Sequence, residues 1–193
     1  MHFQFYNHRN LEGLHSTFSP SQSHWLRYDD EKVQEVYTNK KSAERGTKIH
    51  KWAMDTINLG IKQPRSKQTI CSYVNDAIGF KMSTEVILFY SERIFGTADA
   101  ISFRLNPKTN RYILRIHDLK TGKIPASMEQ LEVYAALFCL EYKVKPRDID
   151  FELRIYQNDE IIVHNPTEED IDPIMDKIIH VDKILETMDN EEV

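Results

Sequence analysis

Three runs rich in β-branched and aromatic residues follow one another in the middle of the chain, separated by short polar connections. They cover residues 85–92, 95–105 and 111–119, and the second connection, Asn106-Pro107-Lys108-Thr109-Asn110, has the composition of a hairpin loop. Runs of this length with such connections predict three strands in an antiparallel meander. A sheet is therefore expected at the centre of the fold.

Helical patterns lie on both sides of these strands. Ser19 followed by Pro20 predicts the start of a short helix, and Gly60 is expected to end a second helix that begins near Asn39. Residues 61–69 are polar and basic, and we interpret them as a mobile loop. The remaining predictions are a short helix over 70–79, a mostly buried helix over Ser127–Tyr142, a hairpin over 151–157 and 160–164, and a capped acidic helix from Thr167 with the apolar stripe Ile174, Ile178, Val181, Leu185 and Met188.

The predicted fold class is α/β, of the α+β kind, with a mixed central sheet flanked by helices. A length of 193 residues suits one domain over 1–193, with a closing hairpin and helix over 143–193. Apolar residues make up 40% of the chain and charged residues 28%, which excludes a fibrous or disordered protein.

The sequence shows no pattern typical of a membrane-spanning segment, a secretory signal or a cysteine-rich site. No stretch approaches about 18 uninterrupted apolar residues, and the first residues lack the basic-then-apolar pattern of a secretory signal. We therefore expect an intracellular, cytoplasmic protein without a membrane partner. Cys71 and Cys139 are too few for a disulfide framework, a four-thiolate zinc site or an iron–sulfur cluster, so both are predicted to be buried free thiols.

The charge is unevenly distributed along the chain. The net charge is −5, but residues 166–193 carry ten acidic residues and two lysines, which leaves 20 acidic and 23 basic residues in the rest. Between positions 40 and 67, eight basic residues face two acidic ones. This stretch could bind phosphates or simply form a solvated helix face. The basic residues are Lys40, Lys41, Arg45, Lys48, Lys51, Lys62, Arg65 and Lys67.

The third predicted strand ends in an acid and a lysine two residues apart, Asp118 and Lys120. Side chains at positions i and i+2 of a strand share a face and lie about 6–7 Å apart. A carboxylate can hold a hard divalent cation, and an ammonium group beside it can orient a water or stabilise charge on a phosphate. The alternative interpretation is an exposed ion pair at a strand end.

Asp99 and His50 could join that pair. Asp99 follows Gly96 in the preceding strand, where the hairpin can bring it beside Asp118; two facing carboxylates need a cation between them. The alternative is an edge aspartate after a bulge glycine. His50 lies at the edge of a helical apolar arc, where it could complete a metal shell or be an ordinary core histidine.

Gln130 and Tyr134 are spaced i, i+4 on the helix that follows, so both side chains could reach the end of the same strand. An amide and a phenol there could hold a phosphate, a nucleobase or the ammonium of Lys120. Simple helix packing with satisfied polar tips is the alternative. Glu85 is a weaker candidate, either an outer carboxylate of the site or the start of a strand.

The order of these residues resembles the PD-(D/E)XK nuclease superfamily, specifically its RecB-like exonuclease branch. It is also similar to the single-chain nucleases of bacterial viruses and of mitochondrial genome maintenance. The similarity covers residues 19–142 and implies a restriction-endonuclease-like core. Besides the site residues, it includes two segments that look like that branch's opening helices: Ser19-Pro20-Ser21 with Trp25-Leu26, and Arg45-Gly46-Thr47-Lys48-Ile49-His50.

The resemblance implies a metal site for Mg²⁺ or Mn²⁺. Asp99 and Asp118 would bind the ion, and the imidazole of His50 and the main-chain carbonyl of Leu119 would complete its shell, with Glu85 as a weak further ligand. Some relatives hold an iron–sulfur cluster with four cysteines. This chain has only two cysteines, so no such cluster is expected.

The same resemblance implies catalytic roles and a substrate. Lys120 would position the attacking water, while Gln130 and Tyr134 would steady the lysine and the DNA end. The implied function is metal-dependent exonuclease action on DNA in recombination, repair or genome processing, with a recombination or replication protein as a further partner. An endonuclease of the same fold and a module that binds DNA or a partner without cutting stay open as alternatives.

The DNA path is expected to run along the basic stretch, and the acidic C-terminal helix is expected to lie away from it. The predicted DNA contacts are Arg45, Lys48 and Lys51 on the helix and Lys62, Arg65 and Lys67 in the loop.

Overall fold

The computed structural model describes residue 9 and residues 16–191. The expectation that the first residues carry no secretory signal therefore concerns residues that lie almost entirely outside the described part. The chain divides into two compact units, Met1–Thr47 and Lys48–Val193. The interpretation of the chain as one domain stays a prediction, and each unit is described by itself below.

The fold of the second unit is α/β, with a five-stranded mixed sheet flanked by helices. The predicted meander is confirmed, because the first three strands pair antiparallel in sequence order. The fourth strand then pairs parallel with the third, and the fifth closes the predicted hairpin. The strands are β1 (Ser83–Ser91), β2 (Ile94–Asn106), β3 (Arg111–Leu119), β4 (Ile149–Gln157) and β5 (Glu160–His164).

Four α-helices surround or precede the sheet. In the described part they are α1 (Asp30–Asn58), α2 (Thr69–Gly79), α3 (Glu129–Tyr142) and α4 (Glu168–Glu191). Two 3₁₀ segments, Pro20–Arg27 and Pro146–Asp148, complete the regular structure. The helix predicted after Ser19 is thus a 3₁₀ helix. None of these helices in the described residues is long and apolar enough to cross a membrane.

The predicted start of α1 near Asn39 is wrong. The helix begins at Asp30, because the carboxylate of Asp29 accepts a hydrogen bond from the Lys32 amide at 2.8 Å and caps the first turn. An ion pair between Lys32 and Glu35 adds i, i+3 support. The apolar residues of this first part, Val33, Val36 and Tyr37, lie on the side of the helix opposite the later apolar arc, which was the signal on which the predicted start depended.

The predicted capped start of α4 is confirmed. Asp170 accepts hydrogen bonds from both the amide and the hydroxyl of Thr167, at 2.8 and 3.0 Å. Of the predicted apolar stripe, Ile178 is buried, Ile174, Val181 and Leu185 are partly buried, and Met188 is 55% exposed. The end of α4 extends past the sheet-packed core.

Two apolar cores lie against the sheet. One contains the buried faces of α3 and α4, and the other contains the end of α1 together with α2. Strand β3 supplies both cores, with Leu114 and Ile116 in the first and Leu119 in the second. Each fully buried Leu or Ile contributes about 1.5–3 kcal/mol. Both cysteines are free, as predicted, but only Cys139 is buried, since Cys71 is partly exposed.

Candidate active site

The strand register brings three carboxylates into one row. Strands β1 and β2 pair Thr84 with Ala100 and Val86 with Ala98, so Glu85 lies opposite Asp99. Strands β2 and β3 pair Ala100 with His117, so the next step places Asp99 opposite Asp118. We call Glu85, Asp99 and Asp118 the acidic row.

The sheet is irregular at this row. Glu85 has a φ of +51°, which is unusual for a residue other than glycine and costs about 1–3 kcal/mol. In β2, Ala98 belongs to one core and Ala100 to the other, although residues two apart in a regular strand share a face. From Ala98 to Ala100 the side chains of β2 therefore switch from one face of the sheet to the other. The pairing of β2 with β1 stays in register across this switch.

Asp99 is held by two neighbours. Its Oδ2 accepts a hydrogen bond from the main-chain amide of Leu119 at 3.0 Å and lies 3.3 Å from Nδ1 of His50. The hydrogen bond to Asp99 raises the pKa of His50. In its protonated form the imidazole would be a counter-charge for Asp99. Leu119 contributes its amide, and its carbonyl as a metal ligand stays a prediction.

Asp118 is only 4% exposed, and its negative charge and hydrogen-bonding capacity are only partly satisfied by its neighbours. Nζ of Lys120 lies 3.1 Å from each carboxylate oxygen but forms a well-directed hydrogen bond to Oδ1 alone. Oδ2 is buried without a hydrogen-bond partner. Burial, and then the charge of Asp99, raise the pKa of Asp118. The site thus holds more negative charge than its cations neutralise.

The lysine is linked to α3 by a chain of hydrogen bonds. Nζ of Lys120 donates to Oε1 of Gln130 at 2.8 Å, and Nε2 of Gln130 donates to the hydroxyl of Tyr134 at 3.1 Å. Gly96 makes room for this chain, because a Cβ at Gly96 would lie 2.8 Å from Cε1 of Tyr134. Gly96 pairs regularly with Leu88, so it is a close-approach glycine and not the bulge glycine of the alternative interpretation.

Glu85, the weakest candidate, is the exposed end of the acidic row. Partial burial and the charge of Asp99 raise its pKa, which places it in the electric field of the same site. The site residues inferred from the sequence are therefore gathered around the carboxyl end of β3 and the middle of β2 beside it.

Sequence reasoning missed Tyr73. This residue of α2 is 3% exposed, and burial together with the charges of Asp99, Asp118 and Glu85 raises the pKa of its hydroxyl. Its ring contacts that of Tyr156 edge-on at 5.3 Å. In the sequence it is one apolar-type residue among several in a short helix, and only the fold places it beside the acids.

A buried polar network behind β3 was also missed. The hydroxyl of Tyr156 donates to Asp76 at 2.7 Å and lies 3.2 Å from Nδ1 of His117, whose burial lowers its pKa. The main-chain carbonyl of Tyr156 accepts the amide of Lys120 at 2.9 Å. The network therefore fixes the main chain from which Lys120 projects.

Glu152 anchors the same network. The imidazole of His117, followed by the guanidinium groups of Arg154 and Arg115, lowers the pKa of Glu152 to about 2. Nε2 of His117 lies 4.0 Å from the carboxylate, too far for a hydrogen bond, whereas the two arginines lie at 2.9 and 3.1 Å. We therefore attribute most of the lowering to the arginines.

The predicted DNA-contacting residues are exposed. Those of the loop belong to the connection between α1 and α2, which was interpreted as mobile. The structure ties this connection down at one point, since the main chain of Gln63 exchanges hydrogen bonds of 2.8 and 2.9 Å with the side chain of Asn75. Arg45 lies in the first unit; the residues of the second unit are Lys48, Lys51, Lys62, Arg65 and Lys67.

The described residues contain no group of three or more His, Cys, Asp or Glu side chains spaced as a ready metal cage. Mg²⁺ does not need one, because it keeps several waters and is usually bound by one or two carboxylates plus substrate phosphates. The unpartnered buried oxygen of Asp118 and the adjacent carboxylate of Asp99 have the hard-oxygen chemistry such an ion requires. The residues fit a hydrated ion better than an enclosed one.

Comparison with known proteins identifies no relative: no family model, no curated protein and no solved structure matches this chain.

Proposed function

We propose that this chain is a metal-dependent deoxyribonuclease with a PD-(D/E)XK nuclease core that hydrolyses phosphodiester bonds from DNA ends. One observation carries the proposal. The imidazole of His50 lies 3.3 Å from Asp99, and the ammonium of Lys120 lies 3.1 Å from Asp118. The two pairs are linked by the main-chain amide of Leu119, between Asp118 and Lys120, which donates to Asp99 at 3.0 Å. This is the convergence that the sequence resemblance requires.

Asp99 and Asp118 would hold Mg²⁺ or Mn²⁺ together with water and the substrate phosphate. A bound divalent ion would stabilise charge on the phosphate and lower the pKa of a coordinated water. Burial and the charge of Asp99 raise the pKa of Asp118, so a cation beside the two carboxylates would be favourable. His50 would serve as a further ligand only through a neutral imidazole nitrogen.

Lys120 is suited to orient a nucleophile. An ammonium group has three donors, and two of them are used by Oδ1 of Asp118 and Oε1 of Gln130. The third donor is left for a water or a phosphate oxygen. Because Gln130 is in turn held by Tyr134, the direction of that donor is set by α3.

We expect charge reversal of the basic loop to weaken DNA binding. Changing Lys62, Arg65 and Lys67 together to Glu should lower affinity by about 10- to 100-fold at low salt and reduce the slope of log K against log salt by about 2–3. Fluorescence anisotropy with labelled duplex at several salt concentrations measures both. The control reverses three exposed lysines elsewhere, Lys108, Lys177 and Lys183. Equal affinities of the two variants would place the DNA path away from the loop.

Closed circular DNA distinguishes the proposed exonuclease from the other possibilities. The wild-type protein is incubated with Mg²⁺ or Mn²⁺ and either covalently closed circles or linear DNA of the same sequence. The proposal requires degraded linear DNA beside untouched circles. Nicked circles would indicate an endonuclease, and two intact substrates that are nevertheless bound would indicate a binding module.

A further inference from the structure

One buried glutamine holds the loop that follows Lys120. Gln157, at the end of β4, is 5% exposed and makes three hydrogen bonds to main-chain groups of that loop. Its Nε2 donates to the carbonyls of Gly122 and Ile124 at 2.6 and 2.7 Å, and its Oε1 accepts the amide of Ala126 at 3.0 Å. We call residues 121–126 the clamped loop.

The clamp fixes the loop at the same end of the sheet as the acidic row. Strands β3 and β4 are parallel neighbours, so Gln157 and Lys120 both lie at carboxyl ends that meet at one edge. Asn158 adds a hydrogen bond to the carbonyl of Lys123 at 3.3 Å. Ordering the backbone of a loop costs about 1–2 kcal/mol of conformational entropy per residue. The three hydrogen bonds of Gln157 to main-chain groups offset part of this cost and hold the loop in one conformation.

The clamped loop carries an apolar side chain, Ile124, that is exposed to solvent. Ile124 is 85% exposed, the highest value among the large apolar residues of the described part. Lys123 beside it is exposed as well, and the loop begins directly after Lys120, whose ammonium contacts Asp118 and Gln130. A fixed isoleucine with an exposed lysine beside it is suited to a ligand that is apolar at its end and anionic along its length.

We propose that Ile124 is a wedge that packs against the terminal base pair of duplex DNA and separates its strands. The inference rests on the proposed nuclease function for its ligand. Apolar side chains are known to enter between stacked bases when neighbouring cations hold the phosphates. Isoleucine has no aromatic face, so it fits wedging better than the stacking of single-stranded bases. Separation of the end would free one strand for the acidic row, since the clamped loop begins directly after Lys120, which contacts Asp118.

Two measurements on Ile124→Ser test the wedge. The first is the cleavage rate on blunt duplex and on single-stranded DNA of the same sequence. The second uses duplex with 2-aminopurine at its end, bound in Ca²⁺, where unstacking brightens the fluorophore without need of cleavage. We expect Ile124→Ser to lose about tenfold in duplex cleavage and most of the fluorescence rise, with single-strand cleavage within about twofold of wild type.

Controls separate the wedge from other effects of the substitution. Ile124→Leu keeps the apolar volume and should behave as wild type, and Ile184→Ser makes the same change on an exposed site of α4. An unchanged duplex-to-single-strand ratio in Ile124→Ser, or no brightening by the wild type, would overturn the wedge while leaving the nuclease proposal intact. Brightening without cleavage of any DNA would support the wedge and remove the nuclease proposal.

Discussion

Replacing Asp118 with Asn should lower the rate of DNA cleavage by at least about 10³-fold, because a metal site that supplies several kcal/mol of transition-state stabilisation loses an anionic ligand. The amide has the same shape and can still accept the hydrogen bond from Lys120 through Oδ1. DNA affinity should stay within about threefold, since basic side chains elsewhere supply the phosphate contacts. Single-turnover cleavage and anisotropy on the same preparation measure the two quantities.

The control for this variant is the same change at Asp150, an acid of β4 that pairs with Arg111 at 2.8 Å. Its exposed ion pair contributes little, so cleavage by Asp150→Asn should stay within about twofold of wild type. Full activity of Asp118→Asn with an intact fold would remove the proposed mechanism.

The same variant should be more stable than the wild type when metal is removed with a chelator. Burial and the charge of Asp99 raise the pKa of Asp118 above its ordinary value of 3.8. The folded state therefore binds the proton more tightly than the unfolded chain, and stability from this group is greatest below pH 3.8 and lost as pH rises through the raised pKa. At neutral pH Asp118→Asn avoids this loss.

Thermal unfolding measures this stability difference. The melting temperature of Asp118→Asn should exceed that of wild type at pH 7, and the gap should close as the pH falls toward 3.8. Added Mn²⁺ should raise the melting temperature of the wild type and leave that of the variant unchanged. A variant less stable than wild type at neutral pH would mean that the Asp118 charge is compensated within the fold.

The sheet was predictable because its signals are local. Strand β3 runs from Arg111 to Leu119, as its composition predicts, and the hairpin loop before it fixes the antiparallel pairing. The parallel addition of β4 after a helix follows common topology. The start of α1 was missed because the apolar residues of its first turns do not continue the later apolar arc, and because the cap is a single side chain, Asp29.

The candidate site was predictable from local spacing only within single elements. The strand period pairs Asp118 with Lys120, and the helix period pairs Gln130 with Tyr134. His50 and Asp99 lie in other elements, and the family resemblance was what joined them to these pairs. The positive φ of Glu85 had no sequence signal, because it arises from the facing change between two paired strands.

The polar residues that support the site form no periodic pattern in the sequence. Tyr73, His117, Tyr156 and Gln157 have the pattern of ordinary strand or helix residues, and their partners lie 31 to 83 positions away along the chain. A buried polar group reveals its role only when its partner is known. For that reason the clamp on the loop after Lys120 could not be inferred before the fold.

Lys120→Met should distinguish the role of the lysine from that of the two carboxylates. Methionine keeps an unbranched side chain of similar length but has no ammonium, so cleavage should fall by about 10²–10³-fold. The carboxylates of Asp99 and Asp118 remain, so the rise in melting temperature on adding Mn²⁺ should persist, in contrast to Asp118→Asn. Lys108→Met, in the hairpin loop before β3, serves as the matched control. Loss of the Mn²⁺ effect in Lys120→Met would mean that the lysine holds the carboxylates in place for the ion, and near-normal cleavage would exclude it from the chemistry.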